Sequence, residues 1–554
     1  MNKTVIMPLW TAPMFPGTSG RDHLGLGSVS SFQILARLSP GVNVLTIHPR
    51  YYSFYTFLLY DFWQRDRPRS VTEWVRYFRP RALAYSIACH LSQPSNPNPI
   101  GSIMGSRKVA PLVEGGQAEF DMSFDFIKSR QGGYGLYYRN AMITLGLIVP
   151  GGAGLPTPMD TPTKLGEKIA KSFGETIQAT TYFRSYFDED QVTVPRSVLE
   201  EYGRVVSLER LPNAPEQPLL LDVFLHGDAN VAGFAEARRN TFRFLLDIAD
   251  QTNGIPLDED SFRQLIYFGS APNGATYHER PHIKTVCRQW RMYQMREYYS
   301  FAFNAMWDYL CTWGIYHNGD VIPLRIRDFW AHLETEISFD RLTSILNLPS
   351  SGLTIDSDIQ RLFDWLCEIV DSDVENFDNA CTLNSPIHEH MLHRLAYAHR
   401  GDATVMAGGM LVMLALVFLR IGEIDSLDQV ELEIAAMGDD GRLAMIGFIY
   451  GLKRQIASGY LPIRDVLRWL YSSYIIDQHI AVATDKLPDN TFRFRREGGR
   501  LQFFNLPNSL IFMSSRFEAL STTVHELGLC GDWRTSDHGL TPQGRQLLLE
   551  GNLS

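Results

Sequence analysis

The sequence MFPGTSGRDHLGLGSVSSFQILARLSPGVNVLTIHPRYYSFYTFLLYDFW, residues 14–63, holds the densest concentration of unusual residues in the chain. Its glycines at 17, 20, 25, 27 and 41 and its prolines at 16, 40 and 49 predict a backbone that turns repeatedly. The aromatic residues of 51–63 then predict a helix. A Gly-rich loop beside such a helix could form a ligand cradle. The alternative, an N-terminal segment packed over a core, is favoured because large aromatic side chains dominate core burial.

Three motifs follow one another in this stretch: LGLG at 24–27, LSPG at 38–41 and RYYSFY at 50–55. In this order they resemble the start of a group of large, uncharacterised bacterial proteins encoded in anti-phage defence loci. The resemblance covers about a tenth of the chain. It implies a bacterial defence setting with other defence-system proteins as partners, and it implies no reaction.

The composition is that of a folded protein too long for one hydrophobic core. The chain has 554 residues, 45% of them hydrophobic and 20% charged, so two to four domains are expected. Its formal net charge of −10 argues against general coating of nucleic acid, although a local basic patch remains compatible with it.

Cysteine usage and hydropathy indicate a cytoplasmic protein. Six scattered cysteines, at 89, 287, 311, 367, 381 and 530, form no CxxC pair, which is typical of a reducing compartment. The N-terminus has no convincing signal peptide. The uncharged run at 403–419 lies at the lower length limit for a membrane span, and Asp402 and Arg420 flank it. A buried core helix is therefore expected, and no membrane partner.

Residues 137–170 and 516–548 share one pattern. Each has a helix ending in Leu-Gly-Leu, an excursion rich in Gly, Pro or Asp, and a Thr-x-x-Gly sequence. Glycine after the last apolar turn ends the helix, the excursion forms a hairpin, and Thr163 or Thr541 caps the next helix. This order resembles winged-helix domains, in which the first helix often reads DNA and the hairpin is the wing. Pro542 at the first helical position supports the second copy, while the first copy has a longer excursion.

The predicted fold is mainly α, a multi-domain helical protein with two small winged-helix-like α+β units. We expect an N-terminal Gly-rich and aromatic helical domain at 1–125, a first winged-helix-like unit at 126–190, a helical middle region at 191–480, and a β-hairpin with a second winged-helix-like domain at 481–554. Ser70 is expected to cap a helix that ends near residue 90. Apolar periodicity predicts further helices near 228–250, 286–312, 356–371, 386–399, 403–420, 441–458 and 463–479.

The histidine cluster IHEHMLH, residues 387–393, is the strongest metal candidate in the sequence. His390 and His393 would share one helix face. In the zinc-protease pattern HExxH the second histidine follows the first by four residues, whereas His393 follows His388 by five. Solvated histidines on a helix explain the cluster equally well, so these three residues are weak metal candidates.

Patterns for catalysis are otherwise lacking in the sequence. There is no G-x-S-x-G elbow, and neither Cys311 nor Cys381 lies in a nucleophile signature. The His-Gly-Asp sequence at 226–228 is typical of a turn before a helix. The segment at 101–108 fails the phosphate-loop spacing. No cofactor is implied.

The strongest local charge signal is TFRFRREGGRLQFF, residues 491–504. Alternating Phe and Arg predict a strand with aromatic rings on one face and Arg493 and Arg495 on the other, and the Gly-Gly pair at 498–499 predicts a hairpin. A solvated strand face gives the same pattern without function. Because the hairpin precedes the second winged-helix-like unit, we predict nucleic-acid contacts for a set of five arginines: Arg493, Arg495, Arg496, Arg500 and Arg516.

The sequence thus favours a non-catalytic binding or scaffold component of a bacterial anti-phage defence system, with protein partners and, as a second kind of partner, DNA. The rival hypothesis is a metal-dependent nuclease or hydrolase that uses His388, His390 or His393. A third possibility is that the winged-helix-like units serve as protein-docking surfaces, which the negative net charge favours over dedicated DNA binding.

Overall fold

The computed structural model describes residues 22–93, 101–190, 192–227, 231–370, 385–421, 425, 427–438 and 443–553. The chain divides into two compact units, each built from segments far apart in sequence. Unit 1 comprises Met1–Ile34, Arg263–Ala271 and Cys287–Met513. Unit 2 comprises Leu35–Phe262, Pro272–Val286 and Ser514–Ser554.

Helices predominate, which confirms the predicted mainly α class. The α-helices are α1 (Leu26–Ser28), α2 (Leu35–Leu38), α3 (Arg50–Gln64), α4 (Val71–Leu91), α5 (Ser106–Glu114), α6 (Arg139–Thr144), α7 (Lys164–Ile177), α8 (Thr181–Ser185), α9 (Arg196–Val206), α10 (Gln217–Leu225), α11 (Ala232–Thr252), α12 (Glu259–Phe268), α13 (Lys284–Tyr316), α14 (Ile326–Glu336), α15 (Phe339–Ile345), α16 (Ile359–Val370), α17 (Glu389–Ala398), α18 (Met410–Ile421), α19 (Gln429–Ala435), α20 (Met445–Ile456), α21 (Ile463–Leu470), α22 (Asp477–Asp485), α23 (Phe517–Glu526) and α24 (Pro542–Glu550). Shorter π-helical turns occupy Val29–Ile34, Tyr134–Tyr138, Thr404–Gly409 and Tyr471–Ile476, and a 3-10 helix occupies Leu208–Asn213.

The strands are short. They are β1 (Glu119–Asp121), β2 (Ile148–Val149), β3 (Thr161–Pro162), β4 (Thr193–Pro195), β5 (Leu324–Arg325), β6 (Phe494–Glu497) and β7 (Arg500–Phe503). The first four form two antiparallel pairs, β1 with β4 and β2 with β3. The last three form one sheet in the order β5-β7-β6.

The aromatic helix α3 lies in the core of unit 2, as predicted. Tyr51, Phe54 and Tyr55 are each about 1% exposed. The rings of Phe54 and Tyr85 stack with their centroids 3.9 Å apart, and Tyr55 meets Tyr138 edge-on at 5.2 Å. Offset and edge-to-face ring pairs add to the free energy of burial. This segment therefore serves packing, and the interpretation as a core segment is confirmed for its described part.

Ser70 caps α4 as predicted, because its hydroxyl accepts a hydrogen bond from the Glu73 backbone N–H at 3.2 Å. The motifs that resemble defence proteins also have structural roles. Gly25 and Gly41 adopt φ values of 75° and 81°, which favour glycine. Buried Arg50 pairs with Glu216 at 3.0 Å. The glycines at 17 and 20 and the proline at 16 lie outside the described residues.

The two predicted copies, residues 137–170 and 516–548, both form a helix, a connection with antiparallel pairing, and a second helix. We call them the repeat units. In the first copy, α6 leads into the β2-β3 pair and then into α7. In the second, α23 and α24 flank a single antiparallel bridge between Cys530 and Leu540. The predicted turn glycines, Gly146 and Gly528, have φ values of 74° and 78°. The internal duplication therefore extends from sequence to backbone conformation.

The closing helices of the two copies begin in the same way. The hydroxyls of Thr163 and Thr541 accept a hydrogen bond from the N–H groups of Gly166 and Gly544, both at 3.1 Å. A Cβ atom on Gly166 would lie 2.2 Å from the carbonyl oxygen of Leu147, just before β2. One on Gly544 would lie 1.9 Å from the carbonyl oxygen of Leu529. Glycine in Thr-x-x-Gly thus permits the helix to approach the strand.

The helices predicted for the middle of the chain form, with small changes in their ends. The apolar run becomes a π-helical turn followed by α18. Thr404–Ile421 is the one described segment long and apolar enough to cross a membrane, and 89% of it is buried inside the protein. Within unit 1, α18 packs against α16 and α17, as expected of a core helix.

The expected domain at 481–554 is divided between the units. The hairpin formed by β6 and β7 belongs to unit 1, whereas α23 and α24 belong to unit 2. The reason is a long-range pairing, because β7 pairs on its other edge with β5, where Leu324 faces Leu501. Four consecutive domains therefore do not describe the chain.

Candidate nucleic-acid interface

The solvent side of the β5-β7-β6 sheet carries a groove of about 580 Å³, which we call the arginine groove. Its lining residues are Arg325, Ile326, Arg327, Glu497, Gly499 and Arg500. All three arginines are exposed. The groove therefore places three guanidinium groups against one carboxylate within unit 1.

Strand register brings two of these arginines together. In the antiparallel pairing of β5 with β7, Arg325 is the direct partner of Arg500. Like charges directly opposite one another on neighbouring strands are destabilising. Arg500 also faces Glu497 across the β6-β7 hairpin, so one carboxylate partly offsets the charge of two guanidinium groups.

The third arginine lies where β5 passes into α14. The Ile326 N–H donates to the Gly499 carbonyl at 2.9 Å, which fixes the start of α14 against the hairpin. Arg327 is 72% exposed and lies 3.8 Å from Asp328. The first turn of a helix attracts anions, but Asp328 lies in the first turn of α14 and offsets part of that positive potential.

Two of the five arginines predicted to contact nucleic acid are buried. Arg493 is 3% exposed, and its Nε donates to Asn508 at 2.9 Å. Burial lowers its pKa. Arg516 is 5% exposed, and its Nη1 donates to the carbonyl oxygens of Val42 at 2.7 Å and Leu35 at 3.1 Å. Both guanidinium groups are enclosed by the protein and bonded within it, so they are not available for the predicted contacts with nucleic acid.

The other predicted arginines lie on the hairpin of unit 1. Arg500 lines the groove. Arg496 is 46% exposed and pairs with Asp477 at 2.8 Å. The guanidinium of Arg495 lies over the Phe492 ring, 4.8 Å from its centroid. The predicted set of five is thus reduced to three hairpin arginines, which occupy a different unit from Arg516.

Sequence reasoning missed Arg325 and Arg327. Both lie in the sequence LRIRDF at 324–329, where arginine alternates with apolar residues much as it does in the hairpin. This local signal was available. Its pairing with residues about 175 positions away was not, because strand partners that distant cannot be assigned from one sequence.

The helix predicted to read DNA in the second repeat unit is largely buried. Seven of the ten residues of α23 are buried, and Glu518 is the one exposed position on it. A reading helix must present side chains to base edges in the major groove. The surface of α23 in this structure does not provide such a row.

The histidine cluster starts a helix and contributes to the core of unit 1. His388 is the N-cap of α17, and its Nδ1 accepts the Met391 N–H at 3.2 Å. Burial lowers the pKa of His388 to about 4. His390 lies 3.2 Å from the Tyr298 hydroxyl, and His393 is 6% exposed. These three rings pack within the protein and do not project into solvent.

Glu389, between the cluster's first two histidines, forms a buried ion pair with Arg420. The Nε–Oε1 distance is 2.6 Å, and both side chains are fully buried. The Tyr267 hydroxyl donates to the same carboxylate at 2.7 Å. Although burial opposes ionisation, Arg420 keeps the pKa of Glu389 below its usual value. Among the described residues, no group of three or more His, Cys, Asp or Glu side chains is placed to hold a metal ion.

Three of the described thiols, those of Cys89, Cys311 and Cys530, are buried and are not activated as nucleophiles. Burial raises the pKa of Cys89 and Cys530 to about 12 and that of Cys311 well above its usual value, which leaves these thiols protonated at neutral pH. His226 lies 2.8 Å from Asp222, one turn earlier in α10. Asp228 and Cys381 lie outside the described residues.

Comparisons with protein-family models, with curated proteins and with solved structures gave no match.

Proposed function

We propose that the protein is a non-catalytic nucleic-acid-binding component and that the arginine groove of unit 1 contacts the phosphate backbone. The observation that carries the proposal is the direct pairing of Arg325 with Arg500. Two like charges held side by side gain most from a ligand that supplies negative charge to both. A phosphate chain does so, and guanidinium groups bind phosphate oxygens in bidentate geometry.

The groove is a local concentration of positive charge in a chain whose net charge is negative. An overall charge of −10 repels polyanions at long range, so binding must depend on the few arginines that line the groove. Such binding should be weak at physiological salt and steeply salt-dependent, because each phosphate contact releases condensed counterions.

The test is a double charge reversal, Arg325→Glu with Arg500→Glu, with binding of a labelled duplex measured by fluorescence anisotropy across salt concentrations. The wild-type protein should lose affinity as salt rises, with a log-log slope of about −0.9 per phosphate contacted. The double variant should flatten that slope by about two. Arg361→Glu with Arg454→Glu is the matched control, since it makes the same change in net charge at two exposed positions, on α16 and α20, that do not line the groove.

Failure to bind any nucleic acid at low salt would refute the proposal. Equal losses in the control and the double variant would also refute it, because binding would then reflect net charge and not the groove. Cleavage of the labelled strand in the presence of Mg²⁺ or Mn²⁺ would also count against the proposal, because the proposed role is non-catalytic.

We further propose, from the motifs at 24–27, 38–41 and 50–55, that the protein acts in bacterial anti-phage defence beside other defence-system proteins, and, from its scattered cysteines, that it does so in the cytoplasm. The two repeat units, which both belong to unit 2, are then the proposed protein-docking surfaces. A phage-plating assay tests this: cells that carry the complete locus should lose protection with the Arg325→Glu, Arg500→Glu variant and keep it with the Arg361→Glu, Arg454→Glu control.

A further inference from the structure

An exposed tyrosine lies at the end of α13, ahead of the strand that lines the arginine groove. Tyr316 is 84% exposed. Its ring is held edge-on by His317, with the centroids 5.2 Å apart, and His317 Nδ1 is 2.9 Å from the Trp313 carbonyl oxygen. The tyrosine ring is therefore supported from one side and open on the other.

The loop after Tyr316, which with it we call the tyrosine loop (residues 316–322), is fixed to the sheet by hydrogen bonds. Gln502 Nε2 donates to the Gly319 carbonyl at 2.9 Å and to the Asp320 carbonyl at 3.1 Å. The Phe503 N–H donates to the same Gly319 oxygen at 2.9 Å. The loop is thus built onto β7 with a defined position.

This attachment places the loop beside the groove. Gln502 is two residues from Arg500 along β7, which corresponds to about 7 Å in a strand. At its other end, the loop leads within three residues to Arg325. Two more apolar residues of the loop are exposed, Val321 at 72% and Ile322 at 61%. The exposed apolar and aromatic side chains of this loop, with the exposed Asp320 among them, therefore lie on the segment that connects α13 with Arg325 of the groove.

We infer that the arginine groove and the tyrosine loop together bind single-stranded nucleic acid in preference to duplex. This inference rests on the proposed function. A single strand exposes the faces of its bases, which stack on aromatic side chains while a basic groove follows the backbone. In a duplex the base faces are covered by their neighbours, so Tyr316 would add nothing to duplex affinity.

The composition of the surface favours a nucleic-acid chain over a membrane. Three exposed arginines line the groove, whereas Tyr316, Val321 and Ile322 are the exposed apolar side chains of the loop. Binding in the interface of a bilayer requires an amphipathic helix with a large apolar face, and residues 317–322 form turns and not a helix.

The experiment measures the affinity for single strands of several sequences and for the matching duplexes. It uses the full-length protein and the variants Tyr316→Ala and Tyr316→Phe. Because Tyr316 is exposed, neither substitution should disturb folding, which circular dichroism checks. We expect Tyr316→Ala to weaken single-strand binding about tenfold, in line with the loss of one stacked base, and to leave duplex binding within twofold. Tyr316→Phe should bind like the wild type, because the ring and not the hydroxyl makes the contact.

A second readout locates the contact directly. Strands that contain 5-bromouracil should form a photo-crosslink to the peptide that carries residue 316 in the wild type, and the yield should fall in Tyr316→Ala.

Three results would overturn the inference. Unchanged single-strand affinity in Tyr316→Ala would remove the stacking contact. Equal or tighter binding of duplex would remove the preference, while leaving the proposed function in place. Binding to vesicles of anionic phosphatidylglycerol, lost on Val321→Ser with Ile322→Ser, together with no binding to single strands or to duplexes, would assign the surface to membranes and refute the proposed function as well.

Discussion

The two kinds of arginine in this chain predict opposite consequences for Arg516→Ala and Arg500→Ala. The Nη1 group of Arg516 lies within hydrogen-bond distance of the Val42 carbonyl at 2.7 Å, the Leu35 carbonyl at 3.1 Å and the Ser39 hydroxyl at 3.2 Å. Nη1 carries two hydrogens, so at most two of these bonds have full strength at once. All of these groups belong to unit 2.

The magnitude follows from the cost of losing charged hydrogen bonds in a buried place. A hydrogen bond to a charged group contributes about 1.5–3 kcal/mol, so the loss of two in Arg516→Ala lowers the free energy of unfolding by roughly 3–6 kcal/mol. Arg500 is exposed, and Arg500→Ala should change stability by no more than about 0.5 kcal/mol. Binding of nucleic acid should show the reverse order at equal folded protein.

Amide hydrogen exchange read by mass spectrometry is the suitable assay, because it resolves local opening in a protein of two units. Peptides that cover α2 and the start of α23 should lose protection in Arg516→Ala and keep it in Arg500→Ala. Arg516→Lys, which retains a charge but not the guanidinium fork, should fall between the two. Wild-type exchange in Arg516→Ala, combined with a binding defect as large as that of Arg500→Ala, would refute the structural assignment of Arg516.

Three further predictions concern stability. Burial lowers the pKa of His23 and His479 to about 3 and of His388 to about 4; the folded state therefore binds fewer protons than the unfolded state below pH 6.5, and the free energy of unfolding of unit 1 should fall as pH drops from 6.5 toward 4. A flat urea-midpoint profile over that window would contradict this. Gly544→Ala should destabilise unit 2 strongly in thermal unfolding, because its Cβ would lie 1.9 Å from a carbonyl oxygen, whereas Gly233→Ala, with no atom within 4 Å, should not. Glu389→Gln should cost about 3–5 kcal/mol in urea unfolding, and a loss below 1 kcal/mol would argue against the buried ion pair.

Local features of the fold could be predicted from the sequence because neighbouring residues determine them. The aromatic periodicity of 51–63 identified α3, Ser70 marked the start of α4, and the Gly-Gly pair at 498–499 placed the β6-β7 hairpin. The repeated Leu-Gly-Leu and Thr-x-x-Gly elements predicted the helix ends within the two repeat units. In each case a cap, a turn or an apolar period acts over a few residues, so its signal is complete within a short window.

The tertiary structure alone decided which arginines meet solvent and which residues they join. Arg493 and Arg500 lie in one charged segment and look alike in sequence, yet one is buried against Asn508 and the other faces Arg325 across a strand pair. Burial and strand partnership depend on contacts between segments separated by many residues, and such contacts leave no local mark. The same reason explains why the chain divides into two discontinuous units, since the pairing of β5 with β7 ties residues near 325 to residues near 500 and leaves the C-terminal helices to the other unit.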